Sequence, residues 1–227
     1  MVVELHFDVM RVDLPCDSIR HSAKLWNHVD ELRVEPGHSV LLGRNGIRMG
    51  VAPADAWPAI QAVLEAHGAR VTRRQHAVQS GYPLTIDIGD AQAGETIFSY
   101  DGQGRLKGRT FGAGRKYIHL DYVVEADDPP RVLLRATPEM HVQSADKRWQ
   151  EQDSEYVEKP AYEGHSYAEL SAAVSLKPGQ ILVIGPGHQA EMAHLLGNRF
   201  FERIEAGTRY ETLYFATPQL FRLETPE

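Results

Sequence analysis

A chain of 227 residues can bury a full hydrophobic core without disulfide or metal support, as one domain or two intimate ones. Its formal charge of −7 excludes nucleic acid as a default partner, because phosphate binding rests on clustered Lys and Arg. The longest apolar runs, such as Ile181 to Ile184, fall far short of the roughly 18 consecutive apolar residues of a transmembrane helix, so no transmembrane segment is expected.

Val2 to Val12 alternates, with Val3, Leu5, Phe7 and Val9 on one face and Glu4, His6 and Asp8 on the other, the period of a half-buried strand. Asp17 or Ser18 can cap a helix in which Ile19, Leu25, Trp26 and Val29 recur to about Glu31. Ser39 to Leu42 and Ile47 to Val51 flank Gly43-Arg-Asn-Gly46, and Asn-Gly tolerates the positive φ of a tight turn, which predicts a hairpin. A second helix runs from about Ala54 through Trp57, Ile60, Val63 and Leu64 and stops at His67-Gly68. Arg70 to Val78 reads as a further strand.

Beyond Gly81 the texture changes to strands and turns. Leu84 to Ile88 alternates, Thr96 to Tyr100 and Arg105 to Lys107 flank the turn Asp101-Gly-Gln-Gly104, and Ile118, Leu120, Tyr122 and Val124 share one face of a long strand. Gln143 to His165 is polar and acidic, a long loop or an exposed hairpin, since it cannot bury enough apolar surface alone. Order returns with Tyr167 to Leu176 and the strand Gln180 to Ile184. A short helical turn near Ala190 to Leu196 leads past Gly197 into a last hairpin.

One phrase occurs twice, eighty positions apart: Val132 to His141 and Thr212 to Phe221 both run through Ala-Thr-Pro. Proline removes a backbone donor and forces its predecessor extended, so a ladder must break there or continue only at an edge. Two readings stand, related hairpins in one sheet or chance recurrence of strand-ending residues. The expected fold class is α+β: a strand-helix-hairpin-helix-strand part over residues 1–80, packed on a larger mixed or antiparallel β-sheet over residues 81–227, or one continuous domain.

The residues that could carry chemistry form no recognised constellation. Glu191 and His194 have the i, i+3 spacing that shares one helical face, with His188 nearby, but metal sites of that kind need a second motif from another helix. His21 and His28 stand two helical turns apart, roughly 10 Å, too far for one metal. Gly-His-Ser at 37–39 and at 164–166 is not the Gly-x-Ser-x-Gly elbow of serine hydrolases. The basic stretch Gly104 to Lys116 fits neither phosphate-loop spacing. Glu139 has no partner carboxylate in sight, and Cys16 stands alone, so no intramolecular disulfide can form. No cofactor is expected.

Several phrases in order resemble the secretin domain of type II and type III secretion systems. They are Val2 to Val12, Pro138-Glu139, Gly179-Gln-Ile-Leu-Val-Ile-Gly185, Leu196-Gly-Asn-Arg-Phe-Phe201 and Leu213-Tyr-Phe-Ala-Thr-Pro218. Leu25 to Glu31 and Asn45 to Gly50 look like phrases of uncharacterised envelope proteins of planctomycete bacteria. The resemblance implies a secretin-like core and an envelope setting. It does not imply a pore, because Gly185 to Leu196 is too short for one expected connection, and Gln143 to His165 lacks the alternation of a lipid-facing hairpin.

The function expected is a non-enzymatic, envelope-associated structural or assembly module with protein partners. Self-association would use sheet edges near the Ala-Thr-Pro strands, at Pro138, Glu139, Leu213, Phe215 and Pro218. The alternative is a soluble ligand- or metal-binding protein or small hydrolase using His188, Glu191 and His194. Met1 leads into Val2-Val3-Glu4-Leu5 without a charged leader, so the chain is expected in the cytoplasm, or in the periplasm or envelope if a targeting segment was removed.

Overall fold

The structure, a computed structural model, describes residues 2–78, 82–92, 94–125, 128–152, 155–188 and 192–223, with side chains over the same ranges except 2–4, 144–152, 155–161 and 222–223. Strand accounts for 56% of the chain, and every pairing between the described strands is antiparallel. This corrects the α+β expectation: the molecule is mostly β, and its helices are short covers on sheets.

The first sheet runs in the order β2 (Ile47–Ala52), β11 (Ile181–Pro186), β13 (Thr208–Leu223), β1 (Val2–Pro15), β3 (Arg70–Val78), with β12 (Glu202–Glu205) hairpinned onto β13. The second runs β10 (Ala172–Leu176), β8 (Arg131–Gln152), β7 (Gly114–Glu125), β4 (Leu84–Ala91), with β9 (Glu155–Ser166) also on β8. A separate hairpin joins β5 (Glu95–Tyr100) to β6 (Leu106–Phe111). Strands from the first eighty residues and the last fifty interleave in the first sheet, so the change of texture near Gly81 does not divide the sheets.

Side-chain parity explains the layers. Leu5, Phe7 and Val9 of β1 face the core between the sheets, while Met10, Val12 and Leu14 face a second core under α1 (Ala23–Trp26) and α3 (Trp57–Ala66). The apolar run Ile181 to Ile184 needs no polar alternation, because β11 is covered on both faces: Leu182 and Ile184 enter the first core, Ile181 and Val183 the second. Helix α3 forms where the periodicity predicts, burying Ile60 and Leu64.

Three local expectations fail for identifiable reasons. Ser39 to Leu42 belongs to α2 (Pro36–Arg44), not to a hairpin, and β2 pairs with β11 instead. Pro36 starts this helix, Asn45 caps it and Gly46 takes φ 72°; a four-residue apolar run followed by Asn-Gly suits either a hairpin or a helix end. The helix expected from Asp17 to Glu31 shrinks to the four residues of α1, because Asp17 adopts φ 66° and the chain turns through Ser22. Of the helical turn expected near Ala190 to Leu196, Ala190 and Glu191 lie outside the described residues, Met192–Leu195 is not helical, and α4 spans Leu196–Phe201.

Asn45 and Gly46 form a junction. The Asn45 side chain, fully buried, donates to the carbonyls of Leu41 (2.9 Å) and Tyr100 (3.0 Å) and accepts from the Tyr100 N–H (2.8 Å). Its carbonyl accepts from Gly197 N–H (2.8 Å), and that of Gly46 from Gly187 N–H (2.7 Å). A Cβ on Gly197 would stand 1.9 Å from the Gly46 oxygen.

A buried ionic cluster holds the turn after β1. Glu211 accepts from the Ile19 N–H and from the Arg20 Nε (3.4 Å), and the same guanidinium reaches Asn198 (3.1 Å) and Glu202. Burial pushes the Glu211 carboxyl above its usual range against these bonds.

The β5–β6 turn is held by Asp101, whose carboxylate accepts from the backbone N–H groups of Gln103 (3.0 Å) and Arg105 (2.9 Å) and from the Arg105 side chain (2.8 Å). The Arg105 backbone bond foremost, with the lysine at 107, holds this carboxyl well below the usual carboxylate range.

Two outcomes follow from these contacts. Gly197→Ala should destabilise the protein by roughly 3 kcal/mol or more in urea titrations, since backbone meets the added methyl. Asp101 contributes stability above its unfolded pKa, about 4, that is lost as pH falls toward its depressed folded value. The stability gap between wild type and Asp101→Asn should therefore narrow as titrations move from about pH 5 to about pH 3; a constant gap would refute the assignment.

Candidate functional site

Among the described strands, each sheet ends in a strand paired on one side only, and one such strand from each sheet contributes to a common seam. β3 closes the first sheet beyond β1, and β4 closes the second beyond β7. Thr72, Arg74 and His76 of β3 and Asp87 and Asp90 of β4 line one cleft of about 470 Å3. Arg11 and Asp13 of β1, Arg203 of β12 and Tyr214 of β13 complete it. The period of two puts Arg11 and Asp13 on the face of β1 that carries Phe7 and Val9, so the apolar core gives way to charge at this end.

Most of that charge is matched. Asp13 accepts from the Thr212 hydroxyl (2.7 Å), Arg203 (2.9 Å) and Arg11 (3.2 Å). Arg115 pairs with Asp87 (2.7 Å) and Asp90 (3.3 Å), and the Asp87 carboxylate foremost raises its already high pKa. Arg74 has no ion pair among the described residues.

Two donors are not matched. The Tyr214 hydroxyl and the Arg203 Nε are buried without a hydrogen-bond partner among the described residues. Burial pushes the Tyr214 phenol well above its ordinary range, so the hydroxyl stays protonated and can donate. Both atoms are closed to solvent, behind a cleft lined by residues of the two edge strands.

The residues expected at an interface lie elsewhere. Leu213 and Phe215 are fully buried in β13, which is flanked there by β1 and β11, and the Phe215 ring packs edge-on against Trp57 at 5.6 Å. They belong to the core under the helices, not to a sheet edge. Pro138 and Pro218 are buried, Pro138 within doubly paired β8, and the two Ala-Thr-Pro strands sit in different sheets rather than one. Both phrases nevertheless occupy equivalent places: β10 pairs with β8 up to Ala136, and β11 with β13 up to Ala216. Each proline follows where a partner strand ends. Pro138 turns its carbonyl toward that side, to Tyr167 N–H (3.0 Å), so the donor it lacks is not needed there.

Glu139 has neighbours that spacing alone did not reveal. On the face of the second sheet away from the core, His141 lies 3.0 Å and His119 3.8 Å from its carboxylate. No group of three His, Cys, Asp or Glu among the described residues could hold a metal ion. Of the proposed metal residues, Glu191 lies outside the described residues and His188 is exposed; the His194 Nδ1 is hydrogen-bonded by Arg199, and Met192–Leu195 is not helical, which removes the one-face premise. No helix among the described residues is long and apolar enough to cross a membrane, which says nothing of strands.

No family model and no curated protein matches the chain. Among solved structures it is similar to the InvG secretin domain β-barrel of the Salmonella SPI-1 injectisome, at 11% identity and a TM-score of 0.25, covering 99% of this chain and 64% of that one. The chain thus spans less than two thirds of that domain, and a likeness at this TM-score carries no argument for function.

The seam yields a stability test. A buried unpaired hydroxyl costs about 1–3 kcal/mol, so Tyr214→Phe should raise stability in urea by about 1 kcal/mol. A destabilised variant would show that the hydroxyl is satisfied.

Proposed function

We propose that this protein is a non-enzymatic structural or assembly module that joins neighbours through open sheet edges. The observation that carries the reading is the pair of strands β3 and β4, which line one cleft and, among the described strands, are each paired on one side only. β3 is exposed along most of its nine residues and, among the described strands, is paired only to β1. Edge strands of this length are templates for another chain unless blocked, and β3 contains no proline.

A second feature supports the reading. β8 pairs with β7 only as far as Val142, while its pairing with β9 continues to Gln152 opposite Glu155. The two strands leave the sheet as a bare ribbon, and a two-stranded ribbon is marginal in water without a partner surface. The envelope setting that the sequence resemblance implies belongs to the same proposal; recovery of the native protein only in a membrane-free soluble fraction would remove that part.

Light scattering over a concentration series should show a discrete oligomer. Successive strand N–H groups point to opposite edges, so of Val71→Pro and Thr72→Pro one should lower stability by breaking the β1 ladder. The other should keep the melting temperature and lose the oligomer. A monomer at every concentration would overturn the reading.

A further inference from the structure

We propose that Lys116 is a covalent ligand site, whose amine condenses reversibly with a small uncharged aldehyde admitted by the cleft it lines. The inference is independent of the assembly reading above. Lys116 stands on β7 in step with Ile118 and Leu120, so the period of two turns it toward the core, and it is 7% exposed. Its Nζ donates to the Glu95 carboxylate of β5 (2.8 Å) and to the Arg199 carbonyl of α4 (2.8 Å). Burial foremost pulls its pKa below the ordinary lysine range, against the Glu95 contact. A lysine that gives up its proton readily is the nucleophile of Schiff-base chemistry.

The cleft measures about 630 Å3 and lies where β4, β5 and β7 approach α4, β12 and β13; Lys116 lines it together with both of its partners. That is room for a small molecule. The other charges that line it are matched: Asp90 by Arg115 (3.3 Å), Arg199 by Glu95 (3.7 Å), Arg209 by Glu202 (2.7 Å), and Arg203 by Asp13 (2.9 Å) and Glu205 (3.3 Å). None is left over to select an ionic ligand, which makes the class a neutral carbonyl compound.

Glu95 is placed to move the proton. It takes one from the Lys116 ammonium, the freed lone pair attacks the carbonyl carbon, and the C=O π pair moves to oxygen, which takes up a nitrogen proton. Glu95 then protonates the hydroxyl, which departs as water as the C=N bond forms. Ammonium and aldehyde thus give protonated imine and water with no change of oxidation state, and the positive charge stays beside the Glu95 carboxylate.

The test treats the full chain with propionaldehyde and cyanoborohydride and maps the alkylated lysines by peptide mass spectrometry. The chain has six lysines, of which Lys24, Lys107 and Lys177 are exposed and serve as internal references. At about pH 7, Lys116 should be alkylated about tenfold faster than these three, because more of its amine is neutral. That lead should shrink as pH rises toward about 10, where the exposed amines lose their protons too. In urea it should vanish, since the cleft is gone. Alkylation of Lys116 no faster than the references would show a closed structural ion pair and overturn the proposal. So would a lead that persists in urea, which would belong to the adjoining Arg115 rather than to the cleft.

Discussion

Asn45 and Gly46 set the geometry on which the other elements depend. Four chain segments meet on two peptide groups and one amide side chain: the end of α2, the β5–β6 hairpin, the loop after β11 and the start of α4. An amide can donate twice and accept at its oxygen, and Asn45 does both in a site closed to water, so a loss there would leave unpaired peptide groups inside the protein. The backbone of α4 lies so close to Gly46 that only glycine fits at 197. Short helices with little stability of their own are held in this way by main-chain contacts rather than by length.

Charge is used differently on the two faces of one end of the first sheet, where Asp13 lies opposite Thr212 and Leu14 opposite Glu211. At Glu211, an arginine, a peptide N–H and neighbouring Asn198 and Glu202 close a buried network that anchors the turn after β1. At the seam, the network around Asp13 is closed while Tyr214 and Arg203 are left open. Satisfied buried polar groups specify a fold. Unsatisfied ones cost the protein their full desolvation.

The strands were legible wherever one face alone is buried. Period-two alternation located β1 and β4, the Asp101 turn located β5 and β6, and Gly68 located the end of α3. The Ser39 to Leu42 run was not legible, because four apolar residues fit either a strand or a helix turn, and the competing Asn-Gly signal served a helix end. Sheet membership was hidden for another reason: β1 pairs with β13, some two hundred residues away, and no local pattern encodes that distance. The burial of Leu213 and Phe215 was hidden with it, since it depends on the strands that flank theirs. Nothing in the sequence marks Tyr214 as lacking a partner, for that depends on what packs around its hydroxyl.

The position of β13 also bears on the order in which the chain acquires structure during synthesis. β13 is made last among the described strands, yet it stands between β1, made first, and β11, with β12 folded onto it. Until it emerges, β1 and β11 have no common neighbour, and the apolar run of β11 can be covered only in part. The second sheet, by contrast, is built from strands that lie between residues 84 and 176, so it can form while the first waits. A chain truncated before Thr208 would hold one finished sheet and one open, exposing the very surface that the full chain buries deepest.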